Sequence, residues 1–436
     1  MPIPAAIQEL VERFKANHDA YRSAAYNEEQ CRAEFINPFF LALGWDIENK
    51  AGWSETYKDV LHEEAIKMGE ATKAPDYCFR VGGARKFFVE AKRPSVDLKD
   101  DIAPAYQLRR YAWTTKLPLS VLTDFEEFAV YDCRVRPFPT DKPSTGRVLY
   151  LGFEEYPQRW DDIAAIFSKD AVLKGRLDKF AESNKVKKGT ADVDDEFLRE
   201  IENWRDLLAR NLALRNPALT QRELNFAVTR IIDRIVFLRI CEGRGIEHYG
   251  RLQSLLNGAQ IYPRLCELFQ RADERYNSGL FHFTTEKERP EAPDALTLSL
   301  ALDDKPLKEI IENLYYPKSP YAFSALPAEV LGQVYEQFLG KVIRLTEGHQ
   351  AKVEEKPEVK KAGGVYYTPA YIVDYIVKNT VGKLLGQSRT GILPVQSSSE
   401  ATGKMPVLPS GLTPKKAAKL RILDPACGSG SFLIGA

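Results

Sequence analysis

The residues best suited to chemistry are Pro75-Asp76 and, fourteen positions after Asp76, Glu90-Ala91-Lys92. Glu90 and Lys92 are two apart at the end of the apolar run Phe87-Phe88-Val89, whose composition predicts a strand, so their side chains project from one face. Val81-Gly82-Gly83-Ala84 predicts a hairpin turn that folds the chain back and brings Asp76 alongside them. Two carboxylates that share a divalent metal can polarise a phosphoryl oxygen and activate water, the requirement for hydrolysing a phosphodiester. An adjacent ammonium orients the water or steadies the developing negative charge. Asp76 and Glu90 fit the first role and Lys92 the second. An oxygen-only donor set favours a hard cation, Mg2+. Taken alone, an Asp followed at a distance by Glu-x-Lys equally describes a turn residue and an exposed strand face. The phenylalanines bury the strand, and a buried Glu and Lys require a partner.

The elements that must position these groups are legible in outline. Helical spacing runs from Pro4 to about Ala25 and from Glu28 to Leu43, with Gly44 as the stop. Tyr77 to Arg80 and Phe87 to Glu90 predict paired strands, Asp101 to Thr115 a helix, and Leu119 to Leu122 and Phe128 to Tyr131 two more strands. The expected architecture over 1–155 is an α/β domain, a small sheet clasped by helices. Residues 156–347 are predicted to form a mainly helical connector. Within it Leu224, Val228, Ile231, Ile235 and Leu238 repeat at helical spacing. The basic series Arg230, Arg234, Arg239 and Arg244 reads as a solvated surface rather than a nucleic-acid stripe. Residues 348–362, charged with alternating sign, predict a linker, and 363–436 a third domain with a disordered insertion at 388–411. In that insertion Thr390 to Val395 is echoed by Thr402 to Val407.

The block Ala74 to Arg80 together with Phe87 to Pro94 resembles the PD-(D/E)xK nucleases, and more closely the N-terminal domains of type I restriction subunits and type IIG restriction enzymes. The resemblance extends over about residues 20 to 135. Asn27 to Arg32, leading into Phe35 to Phe40 and Leu43 to Asp46, is similar to that family's opening helix, whose early glutamate supports the metal site. Glu28 occupies the matching position. Gln107 and Tyr111 match the Gln-x-x-x-Tyr helix that follows the catalytic strand. The resemblance implies a centre of Asp76, Glu90, Lys92, Glu28 and Gln107 acting on double-stranded DNA.

A second constellation closes the chain. Leu420 to Leu423 predicts a buried strand, followed by Asp424, Pro425, Ala426, Cys427, Gly428, Ser429 and Gly430. Glycines at such a turn let the backbone approach a ligand and turn N–H groups toward it. The run resembles the S-adenosylmethionine-binding motif of adenine-N6 DNA methyltransferases, which have a Rossmann-like fold. Tyr367, Thr368 and Pro369, before a helix predicted over Ala370 to Leu385, resemble the element that packs beside the cofactor in that family. Threonine and proline there also suit a helix cap. The family's Asn/Asp-Pro-Pro-Tyr/Phe motif belongs downstream of the glycine loop, so this sequence carries the truncated beginning of the domain. On that reading the chain alone does not methylate DNA and holds the cofactor weakly, and a separate chain can carry the remainder and the specificity domain.

The joint expectation is a restriction-modification protein of the type IIG kind. The alternatives are a methyltransferase component with a vestigial nuclease domain and a non-catalytic DNA-binding remnant. Composition is compatible with each: of 436 residues, 61 are Lys or Arg and 61 Asp or Glu, so a nucleic-acid footprint must be local. Six singly scattered cysteines and five dispersed histidines form no zinc pattern. No signal peptide or long apolar run is present, and the expectation is a cytoplasmic protein that does not engage a membrane.

Overall fold

The computed structural model describes residues 3–55, 57–62, 75–184, 192–276, 278–285, 292–326, 340–356, 370–384 and 421. Residues 1–326 with 345–352 form one compact unit, and 327–344 with 353–436 a second.

The first unit is organised by a six-stranded mixed sheet in sequence order: β1 (Val60–His62), β2 (Tyr77–Val81), β3 (Ala84–Ala91), β4 (Leu119–Thr123), β5 (Glu127–Asp132) and β6 (Arg147–Gly152). Gly82 and Gly83 form the two-residue turn between β2 and β3, both with positive φ (58° and 83°), the conformation that a tight hairpin demands and glycine supplies without strain. β3 and β4 are the parallel pair. Helix α4 (Ile102–Thr114) makes the crossover that parallel strands need.

Both faces of the sheet are covered. On one face α1 (Ala5–Ala16) buries Ile7, Leu10, Val11 and Phe14, an i, i+3, i+4, i+7 stripe. Beside it runs a helical segment made of α2 (Glu28–Cys31), a π-turn (Arg32–Ile36) and α3 (Asn37–Ala42). Asn27 caps α2 reciprocally with Gln30, an arrangement worth about 1 kcal/mol. Pro38 has no N–H to return to the Glu34 carbonyl. The chain widens there into the π-turn, and Arg13 donates to that carbonyl instead. Helices α5 (Tyr156–Phe167), α6 (Lys169–Leu173) and α7 (Arg176–Ser183) complete this core with Trp160, Ile163, Phe167 and Leu177. The other face is covered by α4, through Ala105, Leu108, Tyr111 and Ala112, together with Leu98 and Ala322.

The rest of the unit is helical: α8 (Val193–Arg215), α9 (Gln221–Gly243), α10 (Ile261–Tyr276) and α11 (Asp304–Glu312). The stripe predicted from Leu224 to Leu238 is buried on α9. Arg234 and Arg239, read from sequence as solvated, are instead fully buried. Their partners lie far along the chain, where spacing on one helix gives no warning of them.

Two strands of the six-stranded sheet escaped the sequence reading. β1 is only three residues long, and β6 is half-buried along most of its length, without the apolar alternation of a core strand. The described part of the predicted linker, 348–356, includes the strand Ala351–Glu355, paired with Lys341–Leu345. In the second unit, helix Ala370–Asn379 and the turn Val381–Leu384 fall where a helix was expected. The five described cysteines are buried and form no disulfide with one another. Among the described residues no helix is long and apolar enough to cross a membrane.

Candidate active site

The β2–β3 register pairs Tyr77 with Val89, so the next position sets Asp76 beside Glu90. Tyr77, Phe79, Phe87 and Val89 enter the core under α1, whereas Cys78 and Phe88 enter the core under α4. Strand alternation therefore puts Asp76 and Glu90 together on the α4 face.

Four segments of chain converge there. Asp76 Oδ2 accepts from the Ala91 N–H at 2.7 Å. Glu90 Oε1 accepts from Lys92 Nζ at 2.5 Å and from Gln107 Nε2, on α4, at 2.8 Å. Lys92 Nζ also donates to the Ala91 carbonyl at 2.8 Å and stands 3.6 Å from Glu28 Oε2, on α2. All five residues assigned to this centre from sequence are thus brought together. Tyr111, one turn beyond Gln107, is buried in the core that seats α4.

Electrostatics set this cluster apart from an ordinary ion pair. Glu90 is only 2% exposed, and its Oε2 has no hydrogen-bond partner. Burial, followed by the neighbouring Asp76 charge, pushes Glu90 up to about 8. Burial also raises Asp76, opposed by Lys92 and by the Ala91 hydrogen bond. Lys92 is pulled down by burial, but the charge and hydrogen bond of Glu90, with Glu28 and Asp76, outweigh this and raise it. Three acids, Asp76, Glu90 and Glu28, face two cations, Lys92 and the more distant Arg32, so the cluster keeps a deficit of positive charge, the condition under which a cation is recruited.

Among the described residues no group of three or more His, Cys, Asp and Glu side chains is placed to hold a metal. Asp76 and Glu90 offer two carboxylates. Mg2+ is commonly bound by one or two carboxylates with waters and substrate phosphates filling the other positions. The unpartnered Oε2 and the oxygen-only donor set fit that ion.

Arg32 was missing from the sequence assignment. Its Nη1 lies 3.4 Å from Asp76 Oδ1, its Nε donates to Tyr77 Oη at 3.3 Å, and its guanidinium sits 4.9 Å from the centre of the Tyr77 ring. Tyr77 in turn donates to Asn37 Oδ1 at 2.7 Å. The available signal was position: Arg32 follows Glu28 by four residues, so in a helical run both look toward the same side. Tyr367, Thr368, Pro369, Asp424, Pro425, Ala426, Cys427, Gly428 and Gly430, the residues assigned to cofactor binding, lie outside the described residues, as does the insertion at 388–411.

No family model matches the chain. It is 37% identical over 433 residues to the type II restriction enzyme and methyltransferase RM.Eco57I of Escherichia coli, covering 99% of this chain and 40% of that protein. It is 27% identical over 260 residues to the putative type II restriction enzyme and methyltransferase RM.MjaORFECS2P of Methanocaldococcus jannaschii, covering 48% of this chain and 20% of the relative. A third relative is the adenine-specific methyltransferase BrxX of Escherichia coli O9:H4, 28% identical over 116 residues, covering 24% of this chain and 9% of the relative. The chain therefore spans well under half the length of each of these proteins. Among solved structures it is similar to the type IIG restriction endonuclease BpuSI, with TM-score 0.22 and 14% identity over 93% of this chain and 37% of that one, a likeness too slight to bear on the fold. The resemblance to restriction-modification enzymes, first drawn from short motifs, is borne out by one relative along 99% of this chain and by a second along 48%.

Proposed function

We propose that residues 1–155 are a magnesium-dependent DNA endonuclease domain, 156–347 a helical connector, and 363–436 the beginning of an S-adenosylmethionine-dependent adenine-N6 DNA methyltransferase domain. The nuclease reading rests above all on one observation. Asp76, Glu90 and Lys92, with Glu28 and Gln107 behind them, converge in a buried cluster that keeps one carboxylate oxygen unpartnered.

Asp76 and Glu90 would hold the metal, which when bound polarises the phosphoryl oxygen and makes a water acidic enough to attack. The other residues act through the chain itself. Gln107 fixes Glu90 through Oε1, which leaves Oε2 available. The Ala91 N–H fixes Asp76 through Oδ2. Lys92, steadied by Glu28, presents its ammonium where negative charge accumulates during phosphoryl transfer. Both carboxylates and the amine are set before substrate arrives, so little reorganisation is needed at the moment of reaction.

The methyltransferase reading is supported by the Asp424 to Gly430 run, by Tyr367-Thr368-Pro369, and by relatives named as methyltransferases. Tyr367, Thr368, Pro369, Asp424, Pro425, Ala426, Cys427, Gly428 and Gly430 would hold S-adenosylmethionine.

The experiment is plasmid cleavage by the 436-residue chain with Mg2+, and its loss in Asp76→Ala and Lys92→Ala. Undiminished cutting by both variants eliminates the assignment. If the unaltered chain does not cut yet binds S-adenosylmethionine in a calorimetric titration, the methyltransferase component with a vestigial nuclease domain takes its place.

A further inference from the structure

One cation at the centre has no part in the reaction as derived. Arg32 reaches Asp76 from the π-turn of the helical segment on the opposite face, and its contact differs in kind from the others. The 3.4 Å separation from Oδ1 is long for a charge-assisted hydrogen bond. The same guanidinium has a second seat, over the Tyr77 ring and against Tyr77 Oη, which is itself fixed by Asn37. Asp76 Oδ2 is taken by the Ala91 N–H, so Oδ1, the oxygen facing Arg32, is the one left for a metal. A divalent ion and a guanidinium cannot both sit close to that oxygen without strong repulsion.

We propose, on the nuclease reading above, that Arg32 is a placeholder cation: it occupies Asp76 in the metal-free protein, is displaced when a divalent metal binds, and then meets a phosphate of the bound DNA beside the cleavage site. The π-turn suits this task. It sets Arg32 on a widened stretch of helix, anchored to the tyrosine rather than to the acid alone. Removing the charge frees Oδ1 for the metal and takes away a phosphate contact. Metal binding and DNA binding therefore move in opposite directions, which is not what loss of a structural support would produce.

The test is calorimetric titration of Ca2+, a probe for occupancy of the carboxylate pair without turnover, into the 436-residue chain and its Arg32→Ala and Arg32→Gln variants, above the pH at which the acids titrate. Both variants should bind Ca2+ more tightly, by about fivefold or more, bind a DNA duplex more weakly, and lose about one unit of salt slope. Arg32→Gln retains a donor for Tyr77 Oη and reports on charge alone should Arg32→Ala melt early. Unchanged or weaker Ca2+ binding by Arg32→Gln overturns the placeholder, because Arg32 then merely supports Asp76. If the unaltered chain binds neither Ca2+ nor Mg2+, the nuclease reading itself falls, a distinct outcome.

Discussion

Two of the places where the first unit buries charge do so on opposite terms. On α9, Arg234 is fully buried and entirely spoken for: Nε donates to the Leu280 carbonyl at 2.9 Å, Nη1 to Thr297 Oγ1 at 2.7 Å and Nη2 to Asp294 Oδ2 at 2.7 Å, with the Phe283 ring 4.5 Å away. Burial pushes the Asp294 carboxyl up, but hydrogen bonds from Thr297 and Arg234 prevail and hold it below the usual range. At the end of β3, Glu90 is as deeply buried but short of partners, and its pKa moves the other way. A closed network keeps its charge because the fold has completed it. An open one stores an electrostatic debt that a ligand can settle, and this difference, rather than burial itself, separates a structural ion pair from a candidate reaction centre.

Glutamine replacements would break this comparison most sharply if it is wrong. Glu90→Gln should lower Mg2+-dependent plasmid cleavage by about a thousandfold or more, the scale of losing a metal-holding carboxylate, while the metal-free protein melts no lower than the unaltered one. A fall in melting temperature without a fall in cleavage would make Glu90 a structural residue. Asp294→Ala should do the reverse. It strands Arg234 in a buried site and costs about 3–5 kcal/mol in denaturant unfolding, with cleavage per folded molecule retained. A smaller effect is expected at Gln107, whose change to Ala removes one of two donors to Glu90 Oε1. Cleavage should drop about tenfold, near 1.4 kcal/mol, and the Mg2+ requirement should rise. Unchanged Mg2+ dependence would confine Gln107 to packing.

Much of the open cluster was legible in sequence because its determinants are local. The Gly82-Gly83 turn sets the β2–β3 register, that register sets Asp76 beside Glu90, and the two-residue step from Glu90 to Lys92 sets their common face. Arg32 was less legible. Its helical spacing from Glu28 was available, but its approach to Asp76 depends on how the α2 segment packs against β2. The closed network was misread. Arg234 finds Asp294 sixty residues along the chain, and no periodicity on α9 announces that partner. Arg239 likewise looks solvated by spacing, yet is enclosed by Tyr249, Tyr315 and Phe323. β1 and β6 were invisible because one is too short and the other too evenly half-buried to show a period of two. The charged stretch after Gly348 concealed Ala351–Glu355, which pairs with Lys341–Leu345.

The finest distinction between the two sites is the sign of their response to pH. Glu90 is raised from 4.5 to about 8 in the folded, metal-free protein. Below about pH 4.5 the carboxyl is protonated in both folded and unfolded chains. Between there and about pH 8 the unfolded chain ionises while the folded one resists, so stability contributed by the protonated form is lost as pH rises through the folded value, with a slope of at most about 1.4 kcal/mol per pH unit. Asp76 adds in the same direction, being raised by burial. Lys92, raised from 10.5, holds its contribution throughout this window and loses it only at higher pH. Asp294, lowered from 3.8, contributes stability above that value that disappears as pH falls through its folded pKa. Denaturant unfolding in chelator should therefore show stability declining from about pH 5 toward pH 8, a decline that is shallower in Glu90→Gln and that Mg2+ reduces by holding the acids ionised in the folded state. Parallel profiles for the unaltered chain and Glu90→Gln would mean that Glu90 is already ionised and compensated, and that the cluster at the end of β3 is as closed as the one on α9.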